Sequence, residues 1–131
     1  MAMATSTSSA SAMARILVVD DEPDILLMLR MSLEDEGHEV FLAPDGAAGL
    51  ERLAEHRPDL VVLDVMMPVL DGFGMLERKR ASGDATPVVM LSAKSEQADI
   101  DRATALGAVE FVSKPFDLDR LVALIESILA D

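Results

Sequence analysis

Short apolar runs of strand length recur five times along the chain, at Ile16–Val19, Val40–Leu42, Leu60–Leu63, Val88–Leu91 and Val109–Val112. Four stretches long enough for helices separate them, and a fifth follows the last run. Continuous runs such as Leu60-Val61-Val62-Leu63 predict strands buried on both faces, whereas the alternation around Val40 and along Glu110–Ser113 predicts edge strands. Strands alternating with helical patterns predict βαβ units: an α/β fold with a five-stranded parallel sheet and five helices.

Punctuation between the runs supports the same division. Glu22-Pro23-Asp24 starts the first helix, since proline is tolerated in the first turn and acids favour the positive end of the helix dipole. That helix is expected to run to about Glu36 and stop at Gly37. Ile25, Leu26, Leu29 and Leu33 form its buried stripe. Leu27, Met28 and Met31 fall partly outside the stripe, which leaves two readings: a docking surface for a partner helix, or deeper burial than the spacing suggests. Asp45-Gly46 opens the second helix and Pro58 closes it; the third spans Gly72 to about Ala81, with Phe73, Met75 and Leu76 facing in. The fourth, about Ser95 to Leu106, has only Ile100 and Leu106 as large apolar residues, and a helix with so little to bury is a candidate for movement. The fifth carries Leu118, Leu121, Val122, Ile125, Ile128 and Leu129, a full apolar stripe.

Composition narrows the class. The 131 residues predict one domain with a real core, and no apolar run approaches a membrane span. Absence of cysteine excludes disulfides and thiolate metal sites and fits a cytoplasmic location. A net charge of −13 argues against direct binding to nucleic acid and suits a cation or a basic partner. Residues 1–14 contain only Met, Ala, Ser and Thr and are expected to be a disordered extension, with the domain over 15–131. His38 and His56 each stand alone in the sequence and are expected to be structural rather than ligands.

In a parallel sheet all the strands end at one edge, where ligands of open α/β folds bind. Asp20 and Asp21 stand there after the first run, Asp64 after the third, Ser92 after the fourth and Lys114 after the fifth. Three carboxylates cannot crowd together unpaired, so a bound cation is the natural solution, and Mg²⁺ suits hard oxygen donors.

Four segments in this order, Val18-Val19-Asp20-Asp21-Glu22, Leu63-Asp64-Val65-Met66-Met67-Pro68, Leu91-Ser92-Ala93 and Phe111-Val112-Ser113-Lys114-Pro115-Phe116, resemble the receiver domain of bacterial two-component response regulators. The resemblance covers about Arg15 to the end of the chain. It implies a doubly wound, flavodoxin-like sheet of strand order 2-1-3-4-5. It implies that Asp64 is the phosphoacceptor, that Asp21 and Asp64 ligate Mg²⁺ with the backbone carbonyl of Met66, and that Asp20 acts largely through water. Lys114 is then expected to pair with phosphoryl oxygens and Ser92 to donate to one of them. Ser92 and Phe111 are the expected switch, moving the face of the fourth helix, fifth strand and fifth helix. The peptide bond before Pro115 is expected to be cis. The implied partners are a histidine kinase or phosphotransfer protein and an output protein; the implied activity is Mg²⁺-dependent self-phosphorylation and dephosphorylation rather than turnover.

Three positions depart from the family pattern. Lys79 falls on the inner face of the third helix, where it must snorkel or disturb packing, so that its exchange for leucine is expected to stabilise the fold. Leu124 and Arg120 replace the arginine and the acid of receivers that dimerise through the fourth and fifth helices, which argues against that dimer. Two other readings compete. A phosphatase of the haloacid-dehalogenase type uses a similar residue set, but its Asp-x-Asp nucleophile lies on the first strand, where position 22 is Glu. A flavin carrier needs a phosphate loop after the first strand, where Asp20-Asp21-Glu22 would repel phosphate.

Overall fold

Alternate residues of the first strand face opposite ways, and each set finds its own core. The computed structural model describes residues 13–93 and 95–130. In chain order it contains β1 (Arg15–Val19), α1 (Pro23–Asp35), β2 (Glu39–Ala43), α2 (Gly46–His56), β3 (Leu60–Asp64), α3 (Gly72–Ala81), β4 (Val88–Ser92), α4 (Gln97–Ala105), β5 (Glu110–Ser113) and α5 (Leu118–Ala130). The strands form one parallel sheet in the order β2-β1-β3-β4-β5, with Val19 beside Leu63 and Ser92 beside Ser113. Ile16, Val18, Leu60, Val62, Val89 and Leu91 pack against Leu29 and Leu33 of α1 and Leu121 and Ile125 of α5. On the other face Leu17, Val19, Val61, Leu63 and Met90 meet Leu53 of α2, Phe73, Met75 and Leu76 of α3, and Ala103 of α4. The expected doubly wound topology is therefore observed.

Burial follows sheet position. Every residue of β3 and β4 is buried, whereas the edge strands β2 and β5 are partly exposed. Asp45 and Asp71 cap α2 and α3, their carboxylates accepting from the Ala48 and Gly74 amides. His56 stacks on Phe41 of β2 at 3.9 Å. His38 is buried: its Nδ1 accepts from the Ala14 amide and its Nε2 faces the Glu126 carboxylate on α5. Both histidines thus have structural partners, as expected. Ala14, assigned above to the extension, already belongs to the folded unit, because its carbonyl also accepts from the Glu39 amide. The rest of that extension, apart from Met13, lies outside the described residues.

Lys79 is buried on the inner side of α3 but does not disturb the packing. Its ammonium bonds the Asp84 carbonyl (3.1 Å) and carboxylate (3.3 Å) beyond the helix end. Burial would raise the Asp84 pKa, but bonds from Thr86 and Lys79 outweigh it and hold the carboxyl below its ordinary value.

Candidate functional site

The order in which strands are added reverses around β1: β2 lies on one side of it and β3 on the other, which leaves a crevice beyond their carboxyl ends. Asp20, just after β1, is fully buried and fixed twice. Its amide donates to the Ala43 carbonyl (3.1 Å) and its Oδ1 accepts from the Glu22 amide (2.9 Å). Asp64 is the last, buried residue of β3. The loop after it folds back tightly: the Gly72 amide donates to the Val65 carbonyl (2.9 Å), and a Cβ on Gly72 would lie 2.3 Å from the Asp64 carbonyl oxygen. Only glycine permits that approach. Asp21 is exposed at the rim.

Carboxylate oxygens of Asp20, Asp21 and Asp64 all lie within 4.8 Å of one another. Lys114 enters from β5, its backbone set by a bond from its amide to the Ser92 carbonyl (2.8 Å). Its Nζ donates to Asp20 Oδ2 (2.9 Å) and to Glu22 Oε1 (2.8 Å), and lies 3.3 Å from Asp64 Oδ1. Ser92 is wholly buried at the end of β4. The Lys114–Pro115 bond is cis. Phe111, beside Met90 in the register, is half-buried against the cluster under α2, α3 and α4. Met66 lies on the exposed loop two residues past Asp64.

The charges strain one another. Burial and the negative charge of Asp20 push the Asp64 carboxyl up to about 6, although Lys114 opposes them. Burial also raises the Asp20 pKa, against the Glu22 amide and Lys114. Burial would lower the Lys114 pKa, but its bonds to Glu22 and Asp20 and the charge of Asp64 hold the ammonium above its ordinary value. One ammonium cannot neutralise three clustered carboxylates. A divalent cation bound by hard oxygens fits both the donor set and the uncompensated charge.

Asp20, Asp21, Asp64, Ser92 and Lys114 therefore lie at one sheet edge, whereas Phe111 lies within β5. Sequence reasoning missed two features. Glu22 reads as a helix start, and only the fold shows its carboxylate on Lys114. Val69, in the loop after β3, has φ +70° and is 81 % exposed, a left-handed conformation that β-branched residues rarely adopt. Beside the site, Ile25 and Met28 of α1 line a groove with Ala93, Pro115 and Phe116. Leu27 and Met31 on the same helix are 57 % and 59 % exposed, so deeper burial does not account for them.

Residues 16–126 match the family model of the response regulator receiver domain. Among curated proteins, the chain is 44 % identical over 115 residues to the transcriptional regulatory protein PrrA of Mycobacterium tuberculosis, covering 88 % of this chain and 49 % of that protein. It is 42 % identical over 115 residues to the response regulator MprA of Mycobacterium sp. (strain KMS), covering 88 % and 50 %. The chain thus spans about half the length of these relatives. Among solved structures, the receiver domain of Francisella response regulator 1452 aligns with a TM-score of 0.83 at 31 % identity, covering 89 % of this chain and 96 % of that one. The chemotaxis protein CheY4 of Vibrio cholerae aligns with 0.82 at 32 % identity, covering 88 % and 98 %.

Proposed function

Because the chain belongs to the response regulator receiver domain family, we propose that it is a cytoplasmic phosphoaccepting relay, switched by Mg²⁺-dependent phosphorylation of Asp64. The observation that carries this reading is the convergence of Asp20, Asp21 and Asp64 within 4.8 Å, with the Lys114 ammonium among them. Phosphoryl transfer needs positioning and charge stabilisation more than covalent help from the protein. An Asp64 carboxylate oxygen attacks phosphorus; the new P–O bond forms as the donor's bond to phosphorus breaks, and that electron pair leaves with the donor. Mg²⁺ held by Asp21, Asp64 and the Met66 carbonyl, with Asp20 acting largely through water, would offset charge on the phosphoryl oxygens. Lys114 takes one of those oxygens and Ser92 donates to another. The donor is a phosphohistidine on a kinase or phosphotransfer protein, and its helix docks on the apolar strip of Leu27, Met31 and the groove beside Ile25 and Met28.

The product is a mixed anhydride, so the site works as a relay and not as a turnover enzyme. Nothing in the structure favours a phosphatase: the nucleophile candidate ends β3, and among the described residues no cap covers the sheet edge. Incubation with Mg²⁺ and a small phosphodonor should add one phosphoryl group that is labile to alkali and hydroxylamine. Undiminished labelling of the Asp64→Ala protein would refute the assignment.

A further inference from the structure

The Lys114 ammonium has three N–H donors, and three carboxylates already surround it. Asp20 is buried and doubly fixed, and Asp64 lies farthest from the nitrogen, at 3.3 Å against 2.8 Å for Glu22. Glu22 differs from both. Its side chain is 59 % exposed, and although it occupies the N-cap position of α1 it makes no capping hydrogen bond. It spans the rim to reach Lys114 instead. We propose that Glu22 is a built-in competitor for the phosphoryl group: its carboxylate occupies a Lys114 donor that an arriving phosphoryl oxygen needs, and it withdraws when that oxygen arrives.

The proposal rests on the phosphoacceptor reading above and adds a positioning residue to it. Of the three acceptors, Glu22 is the one that can be released cheaply. Its carboxylate returns to water, whereas Asp20 would be left buried with an uncompensated charge. An exposed partner also makes a weak hold, so Glu22 tunes the site without closing it.

The test uses beryllofluoride as a phosphoryl mimic at saturating Mg²⁺, with affinity read by calorimetry for the wild-type, Glu22→Gln and Asp24→Asn proteins. Asp24 is exposed in the first turn of the same helix, and its exchange makes the same charge change. The expected result is a roughly two- to fivefold tighter Kd for Glu22→Gln, the scale of an ion pair with an exposed partner, and little change for Asp24→Asn. The Lys114 ammonium resonance, recorded without any mimic, should exchange faster with water in Glu22→Gln. An unchanged or weaker Kd, or equal tightening in both variants, would overturn the proposal; the last result would reduce it to a general field effect. Failure of the wild-type protein to bind beryllofluoride would instead refute the phosphoacceptor reading, and the proposal with it.

Discussion

Asp64 sets a measurable pH dependence. Its carboxyl is held up to about 6, chiefly by burial and by the charge of Asp20, against an ordinary value near 3.8. A raised acid pKa means the native state holds its proton more tightly than the unfolded chain does. Stability is therefore highest below the unfolded value and falls as pH rises through the window from about 4 to 6. At about 1.4 kcal/mol per tenfold in proton affinity, the ionised, metal-free site costs the fold on the order of 2–3 kcal/mol. In Mg²⁺-free buffer Asp64→Asn should raise Tm by several degrees at pH 7.5 and by little at pH 4. Equal shifts at both pH values in thermal melts would mean that the carboxylate charge is not the cause. Lys79 reverses the expectation its sequence position raises. Its ammonium is paired with Asp84 rather than stranded, so Lys79→Leu removes a bond from a partly buried carboxylate and carbonyl. We expect a loss of about 1 kcal/mol, a drop in Tm of a few degrees, instead of a gain. A clear rise would return Lys79 to the status of a strained charge.

Among the helices, α4 is held least. Only Ala103 of it is buried, while Ile100 and Leu106 are half-buried. Its other ties are polar and come from α3: Arg80 donates to the Ala105 carbonyl, and Arg102 pairs with Glu77 (3.4 Å) while lying 4.3 Å above the Phe73 ring. Exposed pairs of this kind contribute little, which leaves α4 free to shift when its N-terminal approach moves. Ser92 and Phe111 lie on neighbouring strands beside that approach. A phosphoryl group can bias the region only through contacts that differ between two states. On the proposed function, a Ser92 bond to phosphoryl oxygen and a more inward Phe111 are expected to supply them. Amide shifts recorded with and without beryllofluoride and Mg²⁺ should change most, outside the phosphorylation loop itself, between Ser92 and Phe116. Changes concentrated on α1 would place the output face there and leave Phe111 a plain packing residue.

Taken as one unit, the domain separates two tasks by face and edge. Clusters on both sheet faces form the apolar core, and the carboxyl edge holds the three clustered carboxylates. Among the described residues no helix is long and apolar enough to cross a membrane. The chain carries a net charge of −13 and spans about half the length of PrrA and MprA.

The five strands, their parallel arrangement and the convergence of Asp20, Asp21, Asp64, Ser92 and Lys114 were legible in the chain, while the strand order came from the family resemblance. Hydrophobic periodicity is local, and a parallel sheet sends every strand end to one edge. His38 and His56 were likewise readable as structural, because each stands alone without a second ligand nearby. Contacts between side chains distant in sequence were not legible. Lys79 meets Asp84 only because the chain turns back after α3, and Glu22 meets Lys114 across 92 residues only because β1 and β5 end at the same edge. The left-handed Val69 was hidden too: it is the central residue of a tight turn in which the Leu70 amide donates to the Pro68 carbonyl (2.7 Å), and no glycine marks the position. Pattern reports which face a residue takes, but which charge it finds there depends on distances that only the packed chain sets.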